Sequence, residues 1–181
     1  MKKLLLHTCC APCCAYSFKY LQSEGYDVSL YFYNPNIHPI EEYSKRLEEL
    51  KRFVEQEKIS LFVEEPDFEN WFQITKGHEN DKERGNRCKI CYQMRLEKTA
   101  KFAKDNGFEL FTTSLSISPH KSYEMISEIS FDLEKKYNIK YLDVNLKKKD
   151  GYKKSVELSN KYGFYRQTYC GCKYSLNKIS T

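Results

Sequence analysis

Lys2-Lys3-Leu4-Leu5-Leu6-His7-Thr8-Cys9-Cys10-Ala11-Pro12-Cys13-Cys14 is the stretch on which the fold turns. The leucine run makes Lys2–His7 a short buried strand. Pro12 suits the first turn of a helix, where its fixed φ and missing N–H do no harm. That helix continues through Ala15, Phe18 and Leu21 to Glu24, and Gly25 stops it. A strand thus runs through a cysteine loop directly into a helix.

Outward from this unit the same alternation continues. Asp27–Tyr33 alternates apolar and polar residues as a strand does, and Asn34-Pro35-Asn36 breaks it. Ile40–Gln56 reads as an amphipathic helix with Tyr43, Leu47, Leu50 and Val54 on one face. A strand over Ser60–Val63 and a short helix over Phe68–Thr75 follow. Lys76–Arg87 is polar and aperiodic, a loop expected to order on binding. A helix is expected from Cys88 to Asn106-Gly107, a strand over Glu109–Ser114, and a helix from Ser118-Pro119 to Tyr137. Lys140–Val144 is the fifth strand and Gly151–Lys161 the last helix.

This order predicts an α/β fold: a parallel sheet with flanking helices and right-handed crossovers. Sites in such sheets form at the carboxyl ends of the strands. The first cysteines and the hydroxyl-rich Thr112–Ser118 would share that edge. The whole chain, 1–181, reads as a single catalytic domain with a cysteine-bearing tail from about 163 to 181.

The bulk properties narrow the setting. The apolar run of Met1–Leu6 stops at His7 with no small-residue cleavage site after it. No segment approaches the roughly 18 apolar residues of a membrane span. The expected location is cytoplasmic, with no membrane partner. Structural disulfides are rare there, so the eight cysteines read as metal-binding or redox-active. The net charge of +5, from 30 basic and 25 acidic residues, permits an RNA partner without demanding one.

The cysteines fall into three clusters: Cys9, Cys10, Cys13 and Cys14; Cys88 and Cys91; Cys170 and Cys172. Cys88-x-x-Cys91 opening a helix is half of a four-thiolate site, since free N–H groups and the helix dipole favour thiolates. Cys9-Cys10 can supply the other half. Four thiolates suit zinc or an iron–sulfur cluster, and the position at the expected active-site edge favours the cluster. Cys13 is a further candidate, facing the same centre or a second metal. Cys14 reads as helix packing. Cys170-Gly171-Cys172 fits either a strained, redox-active disulfide, with glycine supplying the backbone freedom, or two more metal ligands. His7 reads as a proton donor, a metal ligand or a hydrogen-bonded strand-end histidine.

Five ordered motifs carry a resemblance to the QueH-type epoxyqueuosine reductases, nearly end to end. They are His7-Thr8-Cys9-Cys10-Ala11-Pro12-Cys13, Tyr33-Asn34-Pro35-Asn36-Ile37-His38-Pro39 with Glu42-Tyr43, Arg87-Cys88-Lys89-Ile90-Cys91-Tyr92-Gln93-Met94-Arg95-Leu96-Glu97, Ser118-Pro119-His120-Lys121, and Tyr165-Arg166-Gln167-Thr168-Tyr169-Cys170-Gly171-Cys172-Lys173-Tyr174-Ser175. The resemblance implies the last step of queuosine biosynthesis, reduction of epoxyqueuosine to queuosine at the wobble position of tRNA. It implies a fold similar to the adenine-nucleotide hydrolase-like (PP-loop/HUP-like) group. It implies a [4Fe-4S] cluster held by Cys9, Cys10, Cys88 and Cys91, an additional iron (or zinc in the purified protein) next to it, and Cys170 and Cys172 as the redox-active pair. The family usually has serine in place of Cys14, and tends to have Asp in place of Asn145.

Partners expected on this reading are tRNA and an external electron donor. Candidate tRNA-binding residues are Arg84, Arg87, Arg95, Lys121 and Arg166, and His7 is a candidate catalytic acid. Two other readings remain: a zinc-stabilised RNA-binding module, and a thiol-disulfide oxidoreductase working through Cys170 and Cys172.

Overall fold

A computed structural model describes residues 1–176 of the chain. The expected tail is therefore described as far as Leu176, and 177–181 lie outside the described residues. Strand β1 (Lys2–His7) leads to helix α1 (Ala11–Ser23), then β2 (Tyr26–Phe32), α2 (Ile40–Glu57), β3 (Leu61–Val63) and α3 (Phe68–Ile74). The second half holds α4 (Asn86–Asp105), β4 (Leu110–Thr113), a 3-10 turn (Ser114–Ile117), α5 (Tyr123–Tyr137), β5 (Lys140–Tyr141), α6 (Gly151–Tyr162) and α7 (Lys173–Leu176).

The five strands form one sheet in the order β3-β2-β1-β4-β5, with every neighbouring pair parallel. The expected parallel α/β fold is what forms. The central strand explains why: Leu4, Leu5 and Leu6 are all fully buried. Alternate side chains of a strand point to opposite faces, so a leucine run needs helices on both. Leu4 and Leu6 join one core with Phe18, Phe53 and Phe164, whereas Leu5 joins the other with Leu96, Phe111 and Ile129.

Two boundaries differ from expectation by more than two residues. The helix expected from Ser118-Pro119 begins at Tyr123, because the Ser122 hydroxyl accepts the Met125 N–H at 3.2 Å and caps it there. The segment before it is turn, with the Lys121 N–H on the Ser118 carbonyl at 3.3 Å. The fifth strand is only Lys140–Tyr141. Lys76–Arg87 is largely turn, as read, but is held in place. Arg87 Nη1 donates to the carbonyls of His78, Glu79 and Asp81 at 3.0, 2.9 and 2.8 Å.

Helix α6 seats close against α1 through small residues. The Ser155 hydroxyl donates to the Pro12 carbonyl at 2.9 Å. A Cβ on Gly151 would stand 1.8 Å from the Leu146 carbonyl oxygen, so only glycine starts the helix there. No helix of the described residues is long and apolar enough to cross a membrane.

Candidate active site

The sheet order reverses at β1: β2 lies on one side and β4 on the other. In open α/β sheets the crevice beyond the carboxyl ends at this switch point is where ligands bind. Here the chain leaves β1 as Thr8-Cys9-Cys10, and β4 leaves as Thr113-Ser114. His7 and Thr113 are register partners at this edge.

His7 is fully buried and uses both ring nitrogens. Nε2 lies 3.2 Å from the Tyr33 carbonyl, which can only accept, so Nε2 carries the proton. Nδ1 then accepts from the Thr113 hydroxyl at 2.9 Å. Burial, with Arg95 close by, lowers its pKa to about 3. The geometry is that of a neutral, hydrogen-bonded strand-end histidine tying β1 to β4.

The Sγ atoms of Cys9, Cys10 and Cys13 lie within 4.8 Å of one another, and those of Cys9 and Cys10 are 3.8 Å apart. Within this trio Cys9 is held well below the usual thiol range. Hydrogen bonds from Cys10 and Cys13 do most of this, and Arg95 and Lys121 add to it against burial. Cys13 is correspondingly pushed up by Cys10 and Cys9. Cys14 points away, fully buried among Leu4, Phe18 and Leu30, and burial pushes its thiol up.

Cys88 and Cys91 sit in the first turns of α4, and Cys88 packs against the same apolar cluster as Cys9 and Cys10. A small cavity of about 40 Å³ is lined by Cys88, Cys91, Cys170 and Cys172 together with Arg87 and Lys121. The C-x-C pair thus lies beside the C-x-x-C pair. A larger cavity of about 710 Å³ opens next to it, lined by Cys9, Cys13, Lys121, Arg166, Tyr169 and Cys170. Cys170 and Lys121 line both. Lys121 is partly buried; burial opposes its charge, but Cys170, Tyr92 and Cys9 outweigh that and raise its pKa.

All eight cysteines are free thiols. Cys170 lies well below the usual range because Cys172 hydrogen-bonds to it, with Lys121 assisting against burial. Cys172 is pushed up by the same contact. Gly171 between them sits at φ +100°, a conformation that side chains rarely adopt.

Sequence reasoning did not find the residue that holds this tail. Arg46 is 1% exposed in the middle of α2. It pairs with Glu42 at 2.7 Å and donates to the carbonyls of Cys170 and Tyr169 at 3.1 and 3.0 Å. Its signal was a charge inside the apolar stripe of Tyr43, Leu47 and Leu50. Gln167 Nε2, also missed, donates to Cys10 Sγ at 2.9 Å.

The basic residues expected to face RNA divide. Arg87 and Arg95 are buried, the first on loop carbonyls and the second on Asn34 Oδ1 at 2.6 Å. Arg84 is spent on the carbonyls of His120 and Pro119, the former at 3.2 Å. Lys121 and Arg166 line the large cavity.

The residues fit a thiolate-ligated, anionic group. Trp71 Nε1, Arg87 Nε and Nη2, and Arg95 Nε are buried donors with no partner, and these three residues line the small cavity with the four thiols. Buried donors without acceptors are uncommon, and a negatively charged cluster is an acceptor for them.

Fold and site together define a parallel α/β protein with a thiol-lined cavity, able to hold a metal, at the carboxyl edge of its sheet. Residues 4–178 match the family model of epoxyqueuosine reductase QueH, and the chain belongs to that family. It is 45% identical over 175 residues to the epoxyqueuosine reductase QueH of Acinetobacter baylyi, covering 96% of this chain and 80% of that protein. The QueH of Thermotoga maritima is 35% identical, with 97% and 91% covered. The fold is similar to that of a predicted subunit of tRNA methyltransferase from Methanocaldococcus jannaschii, with a TM-score of 0.61 at 17% identity, covering 88% of this chain and 75% of that one. It is also similar to the U34-tRNA thiolase NcsA of Methanococcus maripaludis, solved with its [4Fe-4S] cluster. There the TM-score is 0.58 at 12% identity, and this chain spans 97% of its own length but 63% of the thiolase.

Proposed function

We propose that this chain is an oxidoreductase that converts epoxyqueuosine in tRNA to queuosine, the last step of queuosine biosynthesis, in the cytoplasm. The observation that carries the reading is the meeting of three cysteine clusters around Lys121 at the switch point of the sheet, in a chain of this family. Removing the epoxide oxygen takes two electrons and two protons, and yields an alkene and water. Oxidation of the Cys170 thiolate and the Cys172 thiol to a disulfide releases two electrons and one proton, and solvent supplies the second proton, which balances that step. An external donor returns the pair to dithiol. Cys9, Cys10, Cys88 and Cys91 would hold a [4Fe-4S] cluster, which supplies single electrons when bound. Cys13 joins Cys9 and Cys10 closely enough to share an additional metal beside it. Lys121 and Arg166, on the wall of the large cavity, face the RNA. His7, neutral and buried, fixes the strand ends that carry Cys9 and Thr113.

One observation favours a second reading. The 3.8 Å between the Cys9 and Cys10 sulfurs matches two thiolates on one tetrahedral ion, whose S···S edge is about 3.8 Å for Zn–S bonds of about 2.3 Å. A zinc-stabilised RNA-binding module would use it so. Anaerobic reconstitution with iron and sulfide, followed by incubation with epoxyqueuosine-containing tRNA and a reductant, separates the two. The reductase gives brown protein and queuosine in the digested tRNA. It loses both iron and sulfide in Cys88→Ala, and keeps its visible absorbance without turnover when Cys170 and Cys172 are both changed to Ser. Colourless protein with stoichiometric zinc and no conversion would sink the reductase reading.

A further inference from the structure

The turn before α6 and the first residues of that helix read Lys147-Lys148-Lys149-Asp150-Gly151-Tyr152-Lys153-Lys154. Five lysines against one aspartate give these eight residues a charge of +4, when the whole chain carries +5. The excess charge of the protein is therefore concentrated here. Several surface lysines elsewhere are neutralised: Lys51 by Glu48, Lys98 by Glu64, Lys101 by Asp105, Lys135 by Asp132 and Lys140 by Glu134. Among the described residues, none of Lys148, Lys149, Lys153 and Lys154 is in an ion pair, and all four are exposed.

Helix α6 borders the site, while Lys154 itself lines an adjoining groove with Tyr16 and Lys19. Tyr152 and Ser155, on the same helix, line the wall of the large cavity that holds Cys9, Cys13 and Cys170. Lys147 reaches the other way, with Nζ on the Lys121 carbonyl at 3.0 Å. The turn is held firmly. The Asn145 side chain accepts the Lys147 N–H at 3.2 Å, and the Gly151 N–H reaches the Lys148 carbonyl at 3.1 Å. Lys149 and Asp150 lie at φ 53° and 60°, left-handed positions that disfavour side chains. Such backbone is disfavoured for residues with a side chain and persists where its surroundings impose it. Tyr152, 40% exposed, lines the large cavity next to Lys153 in the chain.

We propose that Lys148, Lys149, Lys153 and Lys154 form the grip on the phosphodiester backbone of the substrate RNA, with Tyr152 as a stacking platform for a base beside the reactive nucleotide. This rests on the reading that the substrate is carried in tRNA. It moves the phosphate contact away from Arg87 and Arg95, which spend their charge inside the protein. Lysines on phosphates release counterions, so the affinity they supply is steeply salt-dependent and indifferent to sequence. A base stacked on an exposed aromatic adds affinity of the same sequence-tolerant kind.

The test compares the full chain with a variant carrying Lys148→Ala, Lys149→Ala, Lys153→Ala and Lys154→Ala. An unmodified tRNA transcript is the probe. Binding should weaken roughly 10- to 100-fold near physiological salt, and the slope of log affinity against log salt should become shallower by about 3. Tyr152→Ala should weaken binding roughly tenfold with the slope unchanged. A control variant with Lys51, Lys101, Lys135 and Lys140 changed to Ala loses the same charge and should bind as the parent does. Wild-type affinity and slope in the α6 variant, or an equal loss in the control, overturns the proposal. So does lysine-dependent binding to phosphatidylserine vesicles with no effect on RNA, which would assign the patch to a membrane surface. Turnover keeps the two readings apart. If the α6 variant keeps the wild-type KM for epoxyqueuosine-containing tRNA, the grip is wrong and the reductase reading stands. If neither protein reduces that tRNA but RNA binding still depends on the four lysines, the grip stands and the reductase reading fails.

Discussion

At the scale of single residues, the site works by unequal sharing of protons among equal groups. A thiol surrounded by apolar atoms resists ionisation, and Cys14 shows this in the core. Two others are pulled the opposite way by a neighbouring thiol that hydrogen-bonds to them, Cys9 in the first cluster and Cys170 in the last. The consequence is measurable at Cys170. A depressed pKa raises its thiolate fraction at neutral pH, and the thiolate is the nucleophile. In reduced, metal-free protein, iodoacetamide should alkylate Cys170 at pH 6.5, where an ordinary thiol of pKa about 8.5 barely reacts. The rate should fall only as pH drops below its lowered pKa. Because the Cys172 contact is the larger cause and Lys121 a lesser one, Cys172→Ala should slow labelling at that pH more than Lys121→Gln. Mass spectrometry of the tail peptide reads both. Equal rates for Cys170 in the parent and in Cys172→Ala would contradict the assignment.

At the scale of elements, helix α2 anchors a segment more than a hundred residues away. Its Arg46 holds the two carbonyls before and at Cys170 and is compensated by Glu42, which also accepts the Tyr165 hydroxyl at 3.0 Å. The loop after β2 completes the clasp: the His38 N–H donates to the Gly171 carbonyl at 2.8 Å, and Ile37 bridges to Cys172. Removing one partner of a buried ion pair leaves the other charge uncompensated. Arg46→Met should therefore destabilise the protein by about 3 kcal/mol, read as a shift of the urea midpoint. Adding Glu42→Gln, which keeps an acceptor for Tyr165 but removes the stranded charge, should recover part of that loss. No recovery in the double variant would show that the pair matters only through packing.

At the scale of the whole molecule, the sheet and its two cores stand apart from the tail that closes the site. Phe164 still belongs to the core, stacked on Tyr162 at 5.0 Å and edge-on to Phe53, whereas residues beyond it pack over the carboxyl edge. A chain ending at Tyr165 should keep a cooperative thermal transition and its helical circular dichroism. The single tryptophan then reports the lost cover: Trp71 is fully buried and stacked on Tyr174 at 5.7 Å, so its emission should shift to the red. An unchanged spectrum would mean that the tail does not seal the site. The sequence by itself determined the order of strands and helices, because leucine runs, amphipathic stripes and glycine or proline stops are local signals read one element at a time. It placed Cys9 and Cys10 after the central strand for the same reason, and the motifs carried the family. What it could not rank was which charges face inward. Arg46, Arg87 and Arg95 look like any basic residues until the chain folds, and burial depends on partners distant in sequence: Cys170 for Arg46, Asn34 for Arg95. The company of each cysteine was equally a tertiary outcome. Cys13 joins Cys9 and Cys10 because one turn of α1 follows the loop. Cys170 and Cys172 lie beside Cys88 and Cys91 because the tail returns across the edge of the sheet.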